Sequence, residues 1–175
     1  MSRAIFFDLD GTLVDSMGYW RRVSRDFMKV PDRDQLRVFV GPPLRQSFAR
    51  FGVPPASLDE AIARFRARYV PIGKFENTPY PGIAGLLDRL QGAGYRLFVA
   101  TSKPQVTAQE VLEHFQLARY FERVCGASLD AGRETKEDVI SYLLAQIGDP
   151  GQVVMVGDTA FDVLGAKVHG IPTIG

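Results

Sequence analysis

Three short apolar runs, each of which ends in a polar residue, limit the folds that this sequence can adopt. These runs span residues 3–8, 96–101 and 153–158, and their apolar positions are consecutive rather than alternating. Consecutive apolar residues are typical of strands buried on both faces, as in a parallel sheet. Apolar residues also recur at helical spacing in two segments between the runs: Ile83, Leu86, Leu87 and Leu90, then Val139, Ile140, Leu143, Leu144 and Ile147. We therefore predict an α/β fold with a doubly wound, Rossmann-like and mostly parallel sheet.

Residues 16–79 break this alternation and have the pattern of helices alone. Their apolar residues form stripes at helical spacing: Trp20, Val23 and Phe27; Leu44, Phe48 and Phe51; Leu58, Ile62, Phe65 and Tyr69. Prolines and glycines separate the stripes, and the turn-rich segment 78–82 returns the chain to the α/β pattern. We predict a small helical domain at 16–79, inserted into a core of residues 1–15 and 80–175. Residues 171–175 resemble the start of another strand, so we expect either that this core is truncated at its C-terminal end or that a disordered tail follows.

Composition excludes several classes of protein. The chain has 175 residues, 46% of them hydrophobic, and a formal net charge of +1, so no overall field attracts nucleic acid or an anionic membrane. Its one cysteine, Cys125, excludes an intramolecular disulfide and a cysteine cluster for zinc. No apolar run approaches the roughly 20 residues that a membrane helix needs. We expect a cytoplasmic protein, a monomer or weak dimer, that binds neither nucleic acid nor membranes.

Polar residues stand where the predicted strands end. Asp8 and Asp10 follow the first run, while Thr101 and Asp158 end the other two. In open α/β sheets, ligands bind outside the carboxyl ends of the strands. Any one of these residues could be an ordinary loop residue facing water, but their joint placement predicts one site.

Each further candidate also has a structural explanation. Asp158 could cap a helix with Asp162 in its first turn, or it could bind Mg²⁺ directly with Asp162 supporting it or acting through water. Lys136, at a helix start, could face solvent or be directed at the acids, with Arg133 as the alternative for the second role. The hydroxyls that follow the second run, those of Thr101 and Ser102, could cap a helix or hold phosphoryl oxygens.

Taken in order, these motifs resemble the haloacid dehalogenase superfamily. They are Asp8-x-Asp10-Gly11-Thr12, Thr101-Ser102, Lys136 and Gly157-Asp158-x-x-x-Asp162, and the resemblance spans nearly the whole chain. The helical segment 16–79 is similar to the cap that the superfamily inserts between the first two motifs. The stretches at 41–45, 81–82 and 129–136 are most similar to the phosphoglycolate phosphatase-like branch.

The resemblance implies a Mg²⁺-dependent phosphatase. Asp8 would attack phosphorus and form an aspartyl-phosphate, and Asp10 would protonate the leaving alcohol and then activate water. An acid at position 10 favours phosphate-ester chemistry over dehalogenation. The Asp8 carboxylate, the Asp10 carbonyl and Asp158 would hold the metal, with Thr101, Ser102 and Lys136 on the phosphate.

The implied substrate is a small phosphorylated metabolite, such as phosphoglycolate, a nucleotide or a sugar phosphate. Arg45, placed in the Gly-Pro-Pro loop, is the candidate for contacting its non-phosphate part. Alternative functions are a sugar-phosphate mutase of the same superfamily, a phospho-accepting signalling domain of the receiver type, and a catalytically idle binding relative. A glycosyltransferase is a weaker alternative, because only its Asp-x-Asp element would match.

Overall fold

The computed structural model of the chain describes residues 2–19, 44–130 and 132–175. The first predicted helical stripe, with Trp20, Val23 and Phe27, lies outside the described residues, as does the Gly41-Pro42-Pro43 segment. The chain divides into two compact units, one formed by residues 1–14 and 79–175 and the other by residues 15–78.

The first unit is built on a five-stranded parallel sheet in the order β5-β4-β1-β6-β7. The part of the chain that the structure describes has seven strands, of which β2 and β3 pair separately: β1 (Arg3–Phe7), β2 (Val14–Asp15), β3 (Thr78–Pro79), β4 (Arg96–Pro104), β5 (Arg123–Ala127), β6 (Gln152–Val156) and β7 (Thr173–Ile174). The predicted α/β class and parallel sheet are confirmed. Strand β5 was not predicted, because the polar Arg123 and the small Gly126 interrupt its apolar run.

In the described residues, six α-helices accompany these strands: α1 (Leu44–Arg50), α2 (Leu58–Tyr69), α3 (Ile83–Gly92), α4 (Gln105–His114), α5 (Lys136–Ile147) and α6 (Ala160–Val168). The predicted helical patterns at 83–90 and 139–147 correspond to α3 and α5. Helix α5 begins with a capping box, in which the Thr135 side chain and the Asp138 side chain each accept from the other's backbone N–H.

The central strand β1 explains why its apolar run is continuous. Ile5 and Phe7 pack into the core on one face of the sheet, while Ala4 and Phe6 pack into the core on the other. All four side chains are buried. A strand with helices on both faces needs apolar side chains on both, so its sequence does not alternate.

The second unit has its own apolar core. Tyr19, Phe48, Leu58 and Phe65 are its buried residues, and the rings of Tyr19 and Phe65 meet edge to face with centroids 5.4 Å apart. The second and third predicted stripes thus form the inner faces of α1 and α2. Across the described residues, no helix combines the length and apolarity needed to cross a membrane.

Candidate active site

The ends of β1 and β6 place two acidic residues at the same edge of the sheet. Asp8 follows β1 directly, and its backbone N–H donates to the Val156 carbonyl at the end of β6 (2.9 Å). The Asp8 side chain turns back on its own strand end, where Oδ1 accepts from the Leu9 N–H at 2.7 Å. Because β1 and β6 are parallel neighbours, Asp158, two residues beyond β6, comes to the same edge.

A tight turn after β1 brings the chain back against Asp158. Gly11 lies in this turn with φ +85, and its N–H donates to the Val14 carbonyl at 2.8 Å. A Cβ on residue 11 would overlap the Asp158 carboxylate, so only glycine fits. The Thr12 hydroxyl donates to Asp158 Oδ1 at 3.3 Å.

Three carboxylates and one buried lysine form the centre of the site. Asp8, Asp158 and Asp162 each contribute one carboxylate oxygen to a group of three atoms that lie within 4.8 Å of one another. Lys136 Nζ lies 2.9 Å from Asp8 Oδ1 and 2.7 Å from Asp162 Oδ1, and donates to the Ala100 carbonyl at 2.9 Å. Burial alone would lower the pKa of Lys136, but attraction and hydrogen bonding to Asp8 and Asp162 outweigh it and raise that pKa. The ammonium is therefore charged at neutral pH.

Asp162 is fully buried and its two oxygens serve different partners. Oδ2 accepts from the Thr159 N–H (3.0 Å) and hydroxyl (2.7 Å), while Oδ1 pairs with Lys136. Burial and the nearby Asp8 charge raise the pKa of Asp162. The N-cap of α6 is Thr159, so the interpretation of Asp158 as that cap is wrong. Asp158 is left exposed on the site side of the helix start.

The charges at this edge fit a hard divalent cation. Although Asp158 is exposed as a residue, partial desolvation of its carboxylate, followed by the charge of Asp8, raises the pKa of Asp158. Within the described ranges no cationic side chain pairs with it. Three carboxylates with one ammonium leave two uncompensated negative charges if all are ionised. An all-oxygen donor set of this charge suits Mg²⁺.

Lys103 is a site residue that the sequence analysis missed. Its Nζ lies 2.5 Å from Asp10 Oδ2, and the two side chains are 7% and 19% exposed. Strand β4 continues past Thr101 to Pro104 with a shift of register, and this irregular end carries the lysine to Asp10. The lysine directly after Thr101-Ser102 was the available signal, but spacing alone does not indicate its partner.

The remaining candidates have different surroundings. Thr101 is buried in β4, one residue after the carbonyl that Lys136 contacts, and its hydroxyl accepts from the Lys103 N–H at 3.3 Å. Ser102 follows it, half-buried, in the same strand. Both stand at the carboxyl end of the sheet, as predicted, while their role on phosphate stays a prediction.

Two arginines differ from the sequence-based expectation. Arg133 donates to the Gly126 carbonyl (2.7 Å) and to Gln105 Oε1 (3.0 Å) and lies over the Tyr142 ring, so it is engaged away from the acids and Lys136 takes that position. Arg45 lies in the first turn of α1 rather than in a loop, where it forms an exposed ion pair with Asp59.

Comparison with known proteins gives a consistent result. A family model described as haloacid dehalogenase-like hydrolase matches residues 5–175. A 5'-nucleotidase of Pseudomonas aeruginosa is 40% identical over 178 residues, covering 98% of this chain and 80% of that protein. A phosphoglycolate phosphatase of Agrobacterium fabrum is 31% identical over 187 residues, covering 100% of this chain and 80% of that protein.

Another relative carries a different name. The tyrosine-protein kinase PtkA of Mycobacterium tuberculosis is 41% identical over 176 residues, covering 97% of this chain; the chain spans 60% of the length of that relative. Among solved structures, a predicted phosphatase from Clostridium acetobutylicum superposes with a TM-score of 0.85 at 39% identity, covering 100% of this chain and 84% of that one. The family resemblance found in the sequence is confirmed: the chain belongs to the haloacid dehalogenase-like hydrolase family.

Proposed function

We propose that this chain is a Mg²⁺-dependent phosphatase that hydrolyses a small phosphomonoester through an aspartyl-phosphate on Asp8. The observation that carries the proposal is the way in which Asp8 is held. Its Oδ1 is fixed by the Leu9 N–H and Lys136, while Oδ2 has no such partner in the described part of the chain. One oxygen is thereby oriented and the other is available for attack, which is the arrangement a carboxylate nucleophile needs.

The proposed reaction has two steps. In the first, Asp8 Oδ2 bonds to phosphorus as the bond to the leaving oxygen breaks, and Asp10 gives that oxygen its proton. In the second, Asp10 takes a proton from water as that water attacks phosphorus and releases inorganic phosphate and free Asp8. The first proton leaves on the alcohol and Asp10 regains one from water, so the cycle balances.

Asp8, Asp158 and the carbonyl of Asp10 are the proposed holders of Mg²⁺. When bound, the ion would offset the phosphate charge and polarise a phosphoryl oxygen. Lys136 supplies a further positive charge, and we propose Thr101 and Ser102 as donors to the remaining phosphoryl oxygens. Asp162 keeps Lys136 in place rather than binding the ion, because both its oxygens already have partners.

The substrate is proposed by class. Relatives bear the names 5'-nucleotidase and phosphoglycolate phosphatase, whose named substrates are small phosphomonoesters. We propose residues 15–78 as the cap that discriminates among such substrates by their non-phosphate part. Arg45, which pairs with Asp59 on an exposed surface of that unit, remains the candidate contact. An Arg45→Ala variant with an unaltered substrate profile would show that Arg45 does not contact the substrate.

Phosphoryl transfer to a protein tyrosine is a second candidate function, favoured by the 41% identity to a protein named as a tyrosine kinase. The same Asp8 could accept a phosphoryl group from a donor before passing it on. Incubation with γ-labelled ATP separates the two functions. Label that stays on protein tyrosine supports transfer, whereas no labelled tyrosine in a protein that hydrolyses phosphomonoesters supports hydrolysis.

The direct experiment is a phosphatase assay with p-nitrophenyl phosphate, with Mg²⁺ and with EDTA. We expect turnover with Mg²⁺, loss with EDTA, and recovery when Mg²⁺ is returned. A panel of phosphoglycolate, nucleoside monophosphates and sugar phosphates then identifies the substrate. Asp8→Asn should abolish both turnover and the acid-trapped phosphoenzyme. An Asp8→Asn variant as active as the wild type would contradict the proposal.

A further inference from the structure

We infer that Lys103 is the positioning residue for Asp10, and that it selects Oδ1 as the oxygen that exchanges the proton with the leaving group. The inference rests on the proposed phosphatase function and adds a residue to it. Lys103 acts through Asp10 and is not assigned to the phosphate or the metal.

The contact itself is the first observation. Lys103 Nζ and Asp10 Oδ2 are 2.5 Å apart, and the lysine side chain is only 7% exposed. A long flexible side chain held in so enclosed a place has lost the rotamer freedom that makes surface ion pairs weak. The pair therefore fixes the direction of the Asp10 carboxylate.

The second observation is the state of the other oxygen. Asp10 Oδ1 is buried, and no hydrogen-bond partner to it exists among residues 2–19, 44–130 and 132–175. A buried acceptor without a hydrogen-bond partner costs free energy, and a catalytic role is one explanation for such an atom in a functional site. With Oδ2 occupied by the ammonium, Oδ1 is the oxygen left to carry a proton to a substrate.

Backbone contacts hold the segment that carries Lys103 in position. Its N–H donates to the Thr101 hydroxyl at 3.3 Å, inside the irregular end of β4. Its carbonyl passes so close to Gly126 of β5 that a Cβ there would overlap it. The segment is thus held from both sides before any substrate arrives, which is what preorganisation requires.

The consequence concerns one bond-breaking event. As Asp8 Oδ2 bonds to phosphorus, the bond from phosphorus to the ester oxygen breaks, and that oxygen takes the proton from Asp10 Oδ1. An alkoxide leaving group needs this proton, whereas p-nitrophenolate leaves readily without it. Loss of Lys103 lets the Asp10 carboxylate rotate, so it should slow the loss of alcohols far more than the loss of p-nitrophenol.

The experiment compares kcat/KM for two substrates in the Lys103→Met variant of the full chain. One substrate is p-nitrophenyl phosphate, and the other is the alkyl phosphomonoester from the substrate panel that the wild type hydrolyses fastest. Because kcat/KM covers only the steps up to the phosphoenzyme, the later role of Asp10 with water does not enter. We expect a fall of about 100-fold for the alkyl ester and of less than about 5-fold for the aryl ester.

Two further variants complete the test. Lys103→Arg keeps a cation near Asp10 and should recover part of the loss with the alkyl ester. Lys167→Met removes a lysine from the exposed side of α6 and should leave both values unchanged. If Lys103→Met does not fold, the same comparison is made with Lys103→Arg, whose smaller loss must still be selective for the alkyl ester.

Equal losses with both esters, in whichever variant folds, would overturn the inference and leave only a structural role for Lys103. Wild-type protein that hydrolyses neither ester would instead contradict the proposed phosphatase function. The two failures are therefore distinguishable.

Discussion

The carboxylate of Asp158 occupies the space in which a side chain on residue 11 would lie. Gly11 has φ +85, in the left-handed region, and an added Cβ would overlap the Asp158 carboxylate. These two residues belong to loops that follow neighbouring strands, β1 and β6. The absence of a side chain at position 11 is therefore what lets Asp158 approach Asp8 as closely as the proposed Mg²⁺ site requires.

Replacing Gly11 by alanine should disable the site by displacing Asp158. We expect Gly11→Ala to lose Mg²⁺-dependent phosphatase activity by at least about 100-fold, the size typical of disturbed charge stabilisation in an active site. Thermal unfolding with and without Mg²⁺ should show that the variant has lost most of the stabilisation by the ion.

The chain offers a matched control for this substitution. Gly94 has φ +80, and a Cβ there would have no atom within 4 Å. Gly94→Ala therefore imposes the same left-handed strain of about 1–2 kcal/mol without the overlap. We expect similar losses of stability in EDTA but full activity for Gly94→Ala. Equal losses of activity in the two variants would assign the effect to backbone strain.

Asp158→Asn should separate stability from metal binding. Burial raises the pKa of Asp158, so its ionised form destabilises the metal-free protein at neutral pH, and that cost appears as pH rises through the raised pKa. Removing the charge should leave the free energy of unfolding in EDTA unchanged or higher. The wild type should gain about 2.7 kcal/mol at a Mg²⁺ concentration 100 times its Kd.

The Asp158→Asn variant should gain almost no stability from Mg²⁺. Denaturant titrations with Mg²⁺ and with EDTA measure the free energy of unfolding of both proteins under each condition. Glu137→Gln is the control, because it removes a carboxylate from the exposed first turn of α5 rather than from the acid cluster and leaves the Thr135–Asp138 capping box in place. If Mg²⁺ raises the free energy of unfolding of Asp158→Asn as much as that of the wild type, Asp158 is not a metal ligand.

The sequence was sufficient to predict the acid cluster because its members stand next to elements with strong signals. Asp8 and Asp158 end continuous apolar runs, and parallel strands bring their carboxyl ends to one edge without further information. Lys136 was assignable because it opens a helix in the same alternating pattern. Each of these placements follows from topology, which hydrophobic periodicity encodes.

The parts that sequence did not predict depend on contacts that periodicity does not encode. The pairing of Lys103 with Asp10 requires the irregular end of β4, whose shift of register has no signal in residue spacing. The position of Arg133 depends on the Gly126 carbonyl in β5, a strand whose mixed composition concealed it. The residue that caps a helix is also hard to assign from sequence, because neighbouring residues can both be suitable caps. In α6 the cap is Thr159 and not the adjacent Asp158.

Lys136→Met and Arg133→Met should have different effects on activity, although both remove a cation near the start of α5. Lys136 contacts two carboxylates, so its loss leaves buried like charges and a phosphate without a partner. We expect it to abolish turnover and to cost about 3–5 kcal/mol of stability, as for other broken buried ion pairs. Steady-state kinetics and urea unfolding give the two values.

Arg133→Met should mainly affect stability, because the guanidinium joins the Gly126 carbonyl, Gln105 and the Tyr142 ring. We expect a loss of about 1–3 kcal/mol, as for hydrogen bonds to a charged group, and activity within about tenfold of the wild type. Complete loss of turnover in a folded Arg133→Met protein would indicate that Arg133, rather than Lys136, binds the phosphate.

The capping box of α5 should be detectable in the pH dependence of folding. Hydrogen bonds from the Thr135 N–H and hydroxyl lower the pKa of Asp138 below its ordinary value. A carboxyl group whose pKa is lower in the folded state stabilises the protein above its unfolded pKa of about 3.9, and this contribution is lost as pH falls through the folded pKa. Asp138→Asn should thus lower the free energy of unfolding at pH 7, and the difference from the wild type should shrink as acid is added.

Urea unfolding between pH 7 and pH 3 measures this difference. Glu137→Gln is the matched control, since it removes the same charge from the same exposed turn and leaves the Thr135–Asp138 capping box in place. Its difference from the wild type should be smaller at pH 7, because it retains only the general effect of charge on the helix dipole. If both variants lose the same stability with the same pH dependence, the helix dipole alone accounts for the effect and the start of α5, which carries Lys136, does not depend on the capping box.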